Sequence, residues 1–442
     1  MAELDPLAQG ALLSEPTGLA GPTDATNPAT NPAANPAATP VVWREWAERV
    51  RDAASRGACL RVRGGGSKDH LGDTTRGEWL DTRACQGIVA YEPSELVIRA
   101  RAGTALAEVE AALAERGQHL AFEPPRFAFG LDAAQAAQGA QAAQGAQAAQ
   151  GAQGAQHPPG TSAATVGGVV ASGLSGPGRV SRGAVRDHVL GCTLMNGRAE
   201  VMRFGGAVMK NVAGFDLSRL MAGSMGTLGL LLEVTLKVMP QPVVSATMRF
   251  EMPQAEALAQ VNQWAAQPLP LDASAWWDGL LVLRLRGARA AVASAVQRLY
   301  RERRGELLAP PVADAFWQGM RDQSDEFFQR ARAAVAQAGG QGVALWRLSV
   351  PPTTAPLEAH GEQLIEWFGG QRWVCTPAPA AAVHALAARV GGHAQAVCAA
   401  QPLPCVDAAA LSPVLLRLHQ QVQRAFDPQG VFATGRLLPL SA

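Results

Sequence analysis

The chain has 442 residues, and its 38 lysines and arginines nearly balance 37 aspartates and glutamates, leaving a formal net charge of +1. A near-neutral chain without a basic block lacks the electrostatic footprint of nucleic-acid-binding proteins and the basic cluster that tethers proteins to anionic membranes. No stretch of about 20 consecutive apolar residues is present, so the sequence predicts no transmembrane segment. About two or three domains are expected at this length.

The six cysteines include no C-x-x-C pair, so the sequence predicts neither an iron–sulfur cluster nor another metal site. The first residues, Met-Ala-Glu-Leu-Asp, lack the basic region and apolar core of a secretory signal. We therefore expect a cytoplasmic protein whose thiols are reduced.

The N-terminal segment, residues 1–40, is predicted to be a disordered tail. Its Asn-Pro-Ala repeats remove backbone donors at each proline and offer little apolar surface to bury. A first helix is expected to begin at residue 41.

An alternation of strands and helices follows this helix. Strands are predicted at 60–63, 87–91 and 96–101, and the last of them leads into a helix. We expect Thr104 to cap this helix and Gly117 to end it in the left-handed conformation. The β-β-α order is typical of an α+β domain.

Residues 133–156 are a low-complexity tract that repeats Gln-Ala-Ala-Gln-Gly-Ala. Its recurring glycines disfavour a helix, each by about 1 kcal/mol, and it has no apolar stripe beyond alanine. The sequence predicts a tolerated insertion on a surface loop.

The dipeptide Asn196-Gly197 predicts a hairpin between strands at 189–195 and 200–204. A further strand is expected at 228–239, and prolines follow it. The predicted divisions are a tail at 1–40, a first domain at 41–243 that carries the insertion, a second domain at 244–408, and a C-terminal helix and tail at 409–442.

A glycine triplet directly after the first strand is the first motif that carries chemistry. Three successive glycines let several backbone N–H groups point into one concavity, which suits the pyrophosphate of a dinucleotide, although a tight structural turn explains the triplet equally well. The spacing is not that of a Rossmann site, and no P-loop is present. The candidate residues are Arg63, Gly64, Gly65, Gly66, Ser67 and Lys68.

Two more glycine-rich segments could let the backbone approach a flat ligand. The second of them is not a serine-hydrolase elbow, because Ala222 stands at the first glycine position of G-x-S-x-G. The candidates are Pro159, Gly160, Thr161, Thr165, Val166, Gly167 and Gly168 in the first segment, and Gly223, Ser224, Gly226, Thr227 and Gly229 in the second.

Together these segments resemble the FAD-binding family of vanillyl-alcohol oxidase, whose fold is called the PCMH type. The run at 204–224, which reads Phe-Gly-Gly-Ala-Val-Met-Lys-Asn-Val-Ala-Gly-Phe-Asp-Leu-Ser-Arg-Leu-Met-Ala-Gly-Ser, is similar to the FAD-binding subunits of bacterial glycolate oxidases. Glu123-Pro-Pro125 and the segment 181–191 are similar to the same subunits. The resemblance extends over about residues 60–435, outside the insertion.

The resemblance implies an α+β fold in which FAD lies between two α+β subdomains of a PCMH-type domain at 41–243. It implies that the glycine triplet holds the pyrophosphate and that the flavin edge faces a C-terminal α+β cap or substrate domain at 244–408. The implied activity is the oxidation of glycolate to glyoxylate. The implied partners are a second flavin subunit and an iron–sulfur subunit, through which a cytoplasmic chain could contact a membrane.

A 2-hydroxy acid substrate would require a cation for its carboxylate, and arginine suits that role by its bidentate geometry. Arg347 and Arg372 are candidates, and His393 is a third because it follows two glycines in the second domain. A solvated surface position for the arginines and a structural role for the histidine remain open.

Two other functions are compatible with the sequence. The H-x-G-D-G-N-x-H stretch with which catalytic relatives bind a metal is not present in the chain, which favours a flavin-bearing assembly subunit that leaves catalysis to its partner. A stand-alone FAD-dependent oxidoreductase acting on another 2-hydroxy acid, a sugar or an alcohol is the other alternative.

Seven of the ten tryptophans lie in the second half of the chain. Core packing is the favoured explanation, and a partner interface is the alternative, since tryptophan is enriched in both settings.

Overall fold

The computed structural model describes residues 40–72, 76–127, 164–206, 216–338, 342–400, 405–406 and 410–438. The predicted tail before residue 40, the insertion at 133–156 and the candidates Pro159, Gly160 and Thr161 lie outside the described residues.

The N-terminal part of the described chain is mixed α and β. Its strands are β1 (Leu60–Arg63), β2 (Glu78–Asp81), β3 (Ile88–Glu92), β4 (Val97–Arg101), β5 (Gln118–His119), β6 (Val189–Met195), β7 (Val201–Gly205), β8 (Leu230–Lys237) and β9 (Met239–Pro240). Its helices are α1 (Val41–Arg56), α2 (Leu106–Ala114), α3 (Val166–Ser172), α4 (Arg179–Arg182), α5 (Val185–His188) and α6 (Leu217–Leu220).

Helix α1 covers a small parallel sheet of β1 and β2. Trp43, Trp46 and Val50 recur at helical spacing and are buried with Leu60 and Leu80 of that sheet. The helix ends where Gly57 adopts a left-handed conformation with φ of 63°, which a glycine adopts without a Cβ penalty.

The larger sheet of this part is antiparallel and has the strand order β3-β4-β8-β6-β7. The predicted hairpin is confirmed, because β6 pairs with β7 and the Asn196 side-chain oxygen accepts hydrogen bonds from the backbone N–H groups of Arg198 and Glu200. Helices α2 and α3 pack on one face of the sheet through Val109, Leu113 and their apolar neighbours.

The expected cap of α2 was wrong. The N-cap position belongs to Ala105, which makes no side-chain capping bond. The Thr104 hydroxyl instead accepts from the backbone N–H of Gly87 at 2.9 Å, so it joins the end of β4 to the turn before β3. Gly117 has the expected left-handed φ of 62°.

The C-terminal part contains an eight-stranded antiparallel sheet with the order β13-β10-β12-β11-β15-β16-β14-β17. Its strands are β10 (Val244–Glu251), β11 (Leu271–Trp277), β12 (Leu280–Gly287), β13 (Glu306–Leu307), β14 (Ala344–Ser349), β15 (Glu362–Glu366), β16 (Gln371–Thr376) and β17 (His393–Ala399). Its helices are α7 (Gln254–Ala265), α8 (Arg289–Arg303), α9 (Pro310–Asp322), α10 (Glu326–Gln337), α11 (Ala380–Arg389) and the final helix α12 (Pro413–Phe426).

Most tryptophans of this part pack in the apolar core, which agrees with the explanation that the sequence favoured. Trp264, Trp317, Trp346 and Trp373 are buried in the apolar clusters on the two faces of the sheet. Among the helices that the structure describes, none combines the length and the apolar character needed to cross a membrane.

A buried ion network joins the two parts of the chain. Arg284 on β12 donates through Nη2 to Glu123 Oε2 at 2.8 Å and through Nε to Asp272 Oδ2 at 2.5 Å. Arg286 Nη1 reaches Glu123 Oε1 at 2.8 Å, and Arg182 Nε reaches Asp272 Oδ1 at 2.6 Å. Glu123 and Arg182 belong to the N-terminal part, whereas the other three residues belong to the eight-stranded sheet.

Glu123 is held in an unusual backbone conformation at the centre of this network. Its φ of 50° lies in the left-handed region that most side chains avoid. Its Oε2 atom also accepts from the backbone N–H of Gly178 at 2.8 Å. Although burial would raise it, the two guanidiniums of Arg284 and Arg286 hold the pKa of Glu123 well below its usual range.

Removing the charge of Glu123 should destabilise the protein strongly. We expect Glu123→Gln to lower the free energy of unfolding by about 3–5 kcal/mol, because the guanidiniums of Arg284 and Arg286 would stay buried without the negative charge of Glu123. Asp81→Asn is the matched control, since Asp81 pairs with Arg83 on the exposed surface and should cost less than about 1 kcal/mol. Urea unfolding measures both variants, and equal costs would contradict the central role of the network.

Candidate cofactor cradle and adjoining arginine cavity

A single cavity brings together residues from all three glycine-rich segments. Residues 63–69 line it on one side, Thr165, Gly167 and Gly168 line it on another, and Gly226 and Gly229 complete the wall. We call this group, together with Arg436 from the C-terminal tail, the cationic cradle. The sequence therefore pointed to residues that the fold does assemble at one place.

The glycines of the cradle are required by close contacts. A Cβ atom on Gly64 would lie 2.2 Å from the hydroxyl oxygen of Thr165, and one on Gly167 would lie 2.7 Å from the Cβ atom of Ala102. Thr165 in turn caps α3, because its hydroxyl accepts from the backbone N–H of Gly168 at 3.3 Å. Side chains at these glycines would push the two loops apart and fill the cradle.

Some candidates from the same segments do not line the cradle. Val166 is buried in the apolar core beneath it. Ser224 and Thr227 are buried and bond to each other, with the Thr227 hydroxyl donating to the Ser224 carbonyl oxygen at 2.7 Å. Gly223 lies at the neighbouring cavity described below.

The electrostatic feature of the cradle is a surplus of positive charge. Among the described residues that line it, Arg63, Lys68 and Arg436 stand against one carboxylate, that of Asp69, which pairs with Arg63 at 2.6 Å. The Arg436 guanidinium donates to the carbonyl oxygens of Lys68 and Leu71 at 2.6 and 3.0 Å. It therefore neutralises no acid in the cradle.

Lys68 is the least compensated of these cations. It is buried, and its Nζ atom donates to the Ser67 hydroxyl at 3.2 Å, while no carboxylate among the described residues forms an ion pair with it. Burial, together with the charge of Arg436, lowers the pKa of Lys68 to about 8. A buried ammonium without a counter-ion is unfavourable unless an anion binds beside it.

A second cavity of about 390 Å³ adjoins the cradle and shares Ser172 and Met225 with it. It lies between the N-terminal part and the face of the eight-stranded sheet that carries Arg347 and Gln395, and we call it the arginine cavity. Within the part of the chain that the structure describes, its lining includes the three arginines Arg179, Arg186 and Arg347 and no aspartate or glutamate.

Two of the three candidate substrate contacts line the arginine cavity. Arg347 on β14 and His393 on β17 both face it. The third candidate, Arg372, does not, because its neighbour in register is Leu348, on the opposite face of the sheet from Arg347. Its fully buried guanidinium donates to the carbonyl oxygens of Gly369 and Thr354, which is a structural role and corrects the expectation of a surface or substrate position.

The sequence did not single out Arg179, Arg186, Glu366 or Arg436. Arg436 lies 368 positions from Lys68 along the chain, so no local sequence pattern predicts the contact between them. Glu366 accepts from Trp373 Nε1 at 2.6 Å and from Gln371 Nε2 at 2.9 Å. Burial raises the pKa of Glu366 to about 7, and these two hydrogen bonds offset only part of the effect.

Comparisons with known proteins agree with this architecture. The model of the FAD binding domain family matches residues 37–140. The chain is 38% identical over 390 residues to the glycolate oxidase subunit GlcE of Escherichia coli, covering 88% of this chain and 95% of that protein.

Matches to other relatives are shorter. Glycolate oxidase subunit GlcD of Bacillus subtilis is 35% identical over 107 residues, which is 24% of this chain and 23% of that protein. A D-lactate dehydrogenase of Anaerostipes hadrus is 42% identical over 95 residues, which is 21% of this chain and 20% of that protein.

Among solved structures, an alkyldihydroxyacetonephosphate synthase has a similar fold, with a TM-score of 0.52 at 13% sequence identity. The match covers 88% of this chain and 73% of that one. At this identity the similarity concerns the fold, which is the expected α+β FAD-binding type.

The raised pKa of Glu366 predicts a pH-dependent stability. The carboxyl is protonated below about pH 7 in the folded chain but only below about pH 4.5 when unfolded, so stability should fall as the pH rises between these values. Glu366→Gln should remove this loss and be more stable than the unsubstituted protein at pH 8, by on the order of 2–3 kcal/mol, with little difference at pH 4.5.

Glu302 provides a control of opposite sign. It also accepts from a tryptophan, Trp264 Nε1, at 2.8 Å, but hydrogen bonds from Arg298 and Trp264 lower its pKa. Glu302→Gln should therefore lose stability at pH 8 relative to pH 4. Urea unfolding at both ends of the range measures each variant, and an unchanged pH profile in Glu366→Gln would contradict the prediction.

Proposed function

Because this chain belongs to the family of the glycolate oxidase subunit GlcE, we propose that it is the FAD-binding subunit of a glycolate oxidase complex. It is an FAD-dependent oxidoreductase that takes part in the oxidation of glycolate to glyoxylate, and its electrons pass to partner subunits. The observation that carries the proposal is the cationic cradle, in which Lys68 is buried beside the glycine triplet and forms no ion pair with a carboxylate among the described residues.

The residues of the cradle fit a dinucleotide with a diphosphate. Arg63, Lys68 and Arg436 would supply positive charge to the diphosphate, and the backbone N–H groups of the glycine triplet would supply donors. Thr165 and Gly226 would allow the close approach of backbone to the cofactor. When bound, FAD supplies the hydride acceptor for the carbon that carries the substrate hydroxyl. The protein then contributes binding, orientation and the exclusion of water.

The partner subunits are the finer part of the proposal. Relatives named as glycolate oxidase subunits GlcE and GlcD indicate an assembly of several subunits. We propose that this chain assembles with a second flavin subunit and an iron–sulfur subunit, and that any association with a membrane arises through them. The six cysteines of this chain are all free thiols, distributed over both parts of the fold.

Replacing Lys68 separates cofactor binding from stability. We expect Lys68→Met to weaken FAD binding on the order of 10- to 100-fold, because a charge-assisted hydrogen bond to phosphate is lost. The same change should stabilise the protein freed of FAD, because it removes a buried charge and keeps a side chain of similar length. FAD titration by fluorescence quenching and urea unfolding measure the two effects.

The pH dependence gives an independent check on Lys68. Its pKa is about 8 in the folded chain against 10.5 ordinarily, so the unfolded chain binds more protons between these values and the stability of the FAD-free protein should rise from pH 8 to pH 10. Lys68→Met should remove that rise. Lys237→Met is the control, since Lys237 is one of only three lysines and lies on β8 away from the cradle. Unchanged FAD affinity in Lys68→Met would contradict the proposed role of the cradle.

A further inference from the structure

The arginine cavity is a second concentration of positive charge, distinct from the cradle. Arg186 is exposed at its edge, while Arg179 and Arg347 are partly buried in its wall. Among the described residues, the lining includes no acidic side chain to balance these three guanidiniums. A cavity lined in this way favours an anionic ligand, because field lines from several cations converge in a space with low-dielectric walls.

Arg347 has a neutral partner where a structural arginine would have a carboxylate. Its Nη2 atom donates to the side-chain oxygen of Gln395 at 2.6 Å, and no ion pair among the described residues joins it to an acid. Glu366 lies on the same face of the sheet, but its Oε2 oxygen accepts from Trp373 and Gln371. Burial and the neighbouring charge of Arg179 lower the pKa of Arg347, and the charge of Glu366 opposes only part of this shift.

The register of the sheet fixes the direction of Arg347. Arg347 is paired with Trp373 on one side and with Gln395 on the other, and residues in register point to the same face. Trp373 and Gln395 also line the cavity. The guanidinium is thus held by a strand within the sheet, which restricts its orientation more than a loop would.

The neighbouring arginines are likewise not committed to acids. The Arg179 guanidinium stacks over the ring of Trp367, with its central carbon 4.6 Å from the ring centre. Asp187 lies next to Arg186 in sequence, but its carboxylate accepts from the backbone N–H of Ala184 at 2.8 Å. The positive charge of the cavity is therefore left for a ligand.

We infer that the arginine cavity binds a small carboxylate, a 2-hydroxy or 2-oxo acid, and that Arg347 is its carboxylate contact. The planar guanidinium can donate two parallel hydrogen bonds to one carboxylate. The inference rests on the proposed function for the identity of the acid. It adds that this subunit has a ligand site of its own beside the cofactor cradle, in contrast to a subunit that only carries flavin.

The phosphates of the cofactor are the other possible source of an oxyanion. The two sources differ in what Arg347 should control. If the cavity serves a carboxylate ligand, replacing Arg347 affects the binding of that ligand and leaves FAD in place. If it serves the cofactor, the replacement removes FAD.

The test is calorimetric titration of the purified full-length chain with oxalate, a carboxylate that resembles glycolate and has no hydroxyl to oxidise. We expect saturable binding, and Arg347→Gln should weaken it on the order of 10- to 100-fold with unchanged FAD content. Arg347→Lys should weaken it several-fold, because it keeps the charge and loses the bidentate geometry. Arg301→Gln is the matched control, since Arg301 is exposed on α8 of the same part of the chain, and should bind as the unsubstituted protein does.

The outcomes separate this inference from the proposed function. Oxalate binding that is unchanged in Arg347→Gln, or loss of FAD from that variant, overturns the inference while glycolate oxidase membership stands. A chain that binds oxalate but never FAD overturns the proposed function, because calorimetry detects oxalate without a flavin. If Arg347→Gln fails to fold by circular dichroism, Arg347→Lys decides, and unchanged oxalate affinity in that variant counts against the carboxylate contact.

Discussion

The ion network around Glu123 is the constraint on which the rest of the site depends. Glu123 binds two arginines of the eight-stranded sheet and, through the N–H of Gly178, the loop that precedes α4. That loop leads into Arg179, the first residue of α4, whose guanidinium lies over Trp367. The indole N–H of Trp367 donates to the carbonyl oxygen of Gly176, in the loop, at 3.3 Å. Because the same contacts hold the sheet against the N-terminal part, they also form the wall of the arginine cavity. Glu123 contacts Gly178 of the N-terminal part and the arginines of the eight-stranded sheet from a left-handed backbone conformation, which is unfavourable for a residue with a side chain.

The distribution of charge distinguishes the parts that hold the fold together from the parts that bind ligands. At the network, Arg284 and Arg286 meet Glu123 and Asp272 within hydrogen-bonding distance, so their burial is compensated. At the cradle and the arginine cavity, the buried Lys68 and the partly buried Arg347 donate to neutral partners. Burying a cation without a counter-charge reduces stability, and natural proteins accept that loss mainly where function requires it. Buried cations therefore have two roles in this protein. Those that pair with carboxylates stabilise the fold, and those with neutral partners are available to bind an anion.

Local chemistry was predictable from the sequence, whereas long-range contacts were not. The hairpin around Asn196 follows from local turn chemistry, and Gly117, Gly66 and Gly226 have backbone conformations that few other residues adopt, so a short window of sequence reveals them. Thr104 was misplaced because its hydroxyl has a competing partner in Gly87, which only the folded sheet provides. Side chains alternate between the two faces of a strand, but the sequence does not tell which face of the sheet borders a cavity, because that depends on the neighbouring strands. The candidates Arg347 and Arg372 could therefore not be distinguished from the sequence, although they lie on opposite faces of the sheet. The domain boundaries expected at 40, 243 and 408 stay predictions, although one sheet ends before residue 240 and another begins at Val244.

The adjoining position of two cationic sites has a thermodynamic consequence. At each site a cation forms no ion pair with an acid among the described residues, so an anion bound at either site removes part of the unfavourable free energy of burying that charge. A ligand that binds the folded state and not the unfolded state stabilises the folded state by RT ln(1 + L/Kd), where L is the free ligand concentration. The cradle and the arginine cavity share Ser172 and Met225, so a cofactor held in the first forms part of the surroundings of a ligand in the second. Cofactor binding, ligand binding and stability are therefore linked through Lys68 and Arg347, while the network at Glu123 holds the sheet that carries Arg347 against the N-terminal part that carries Lys68.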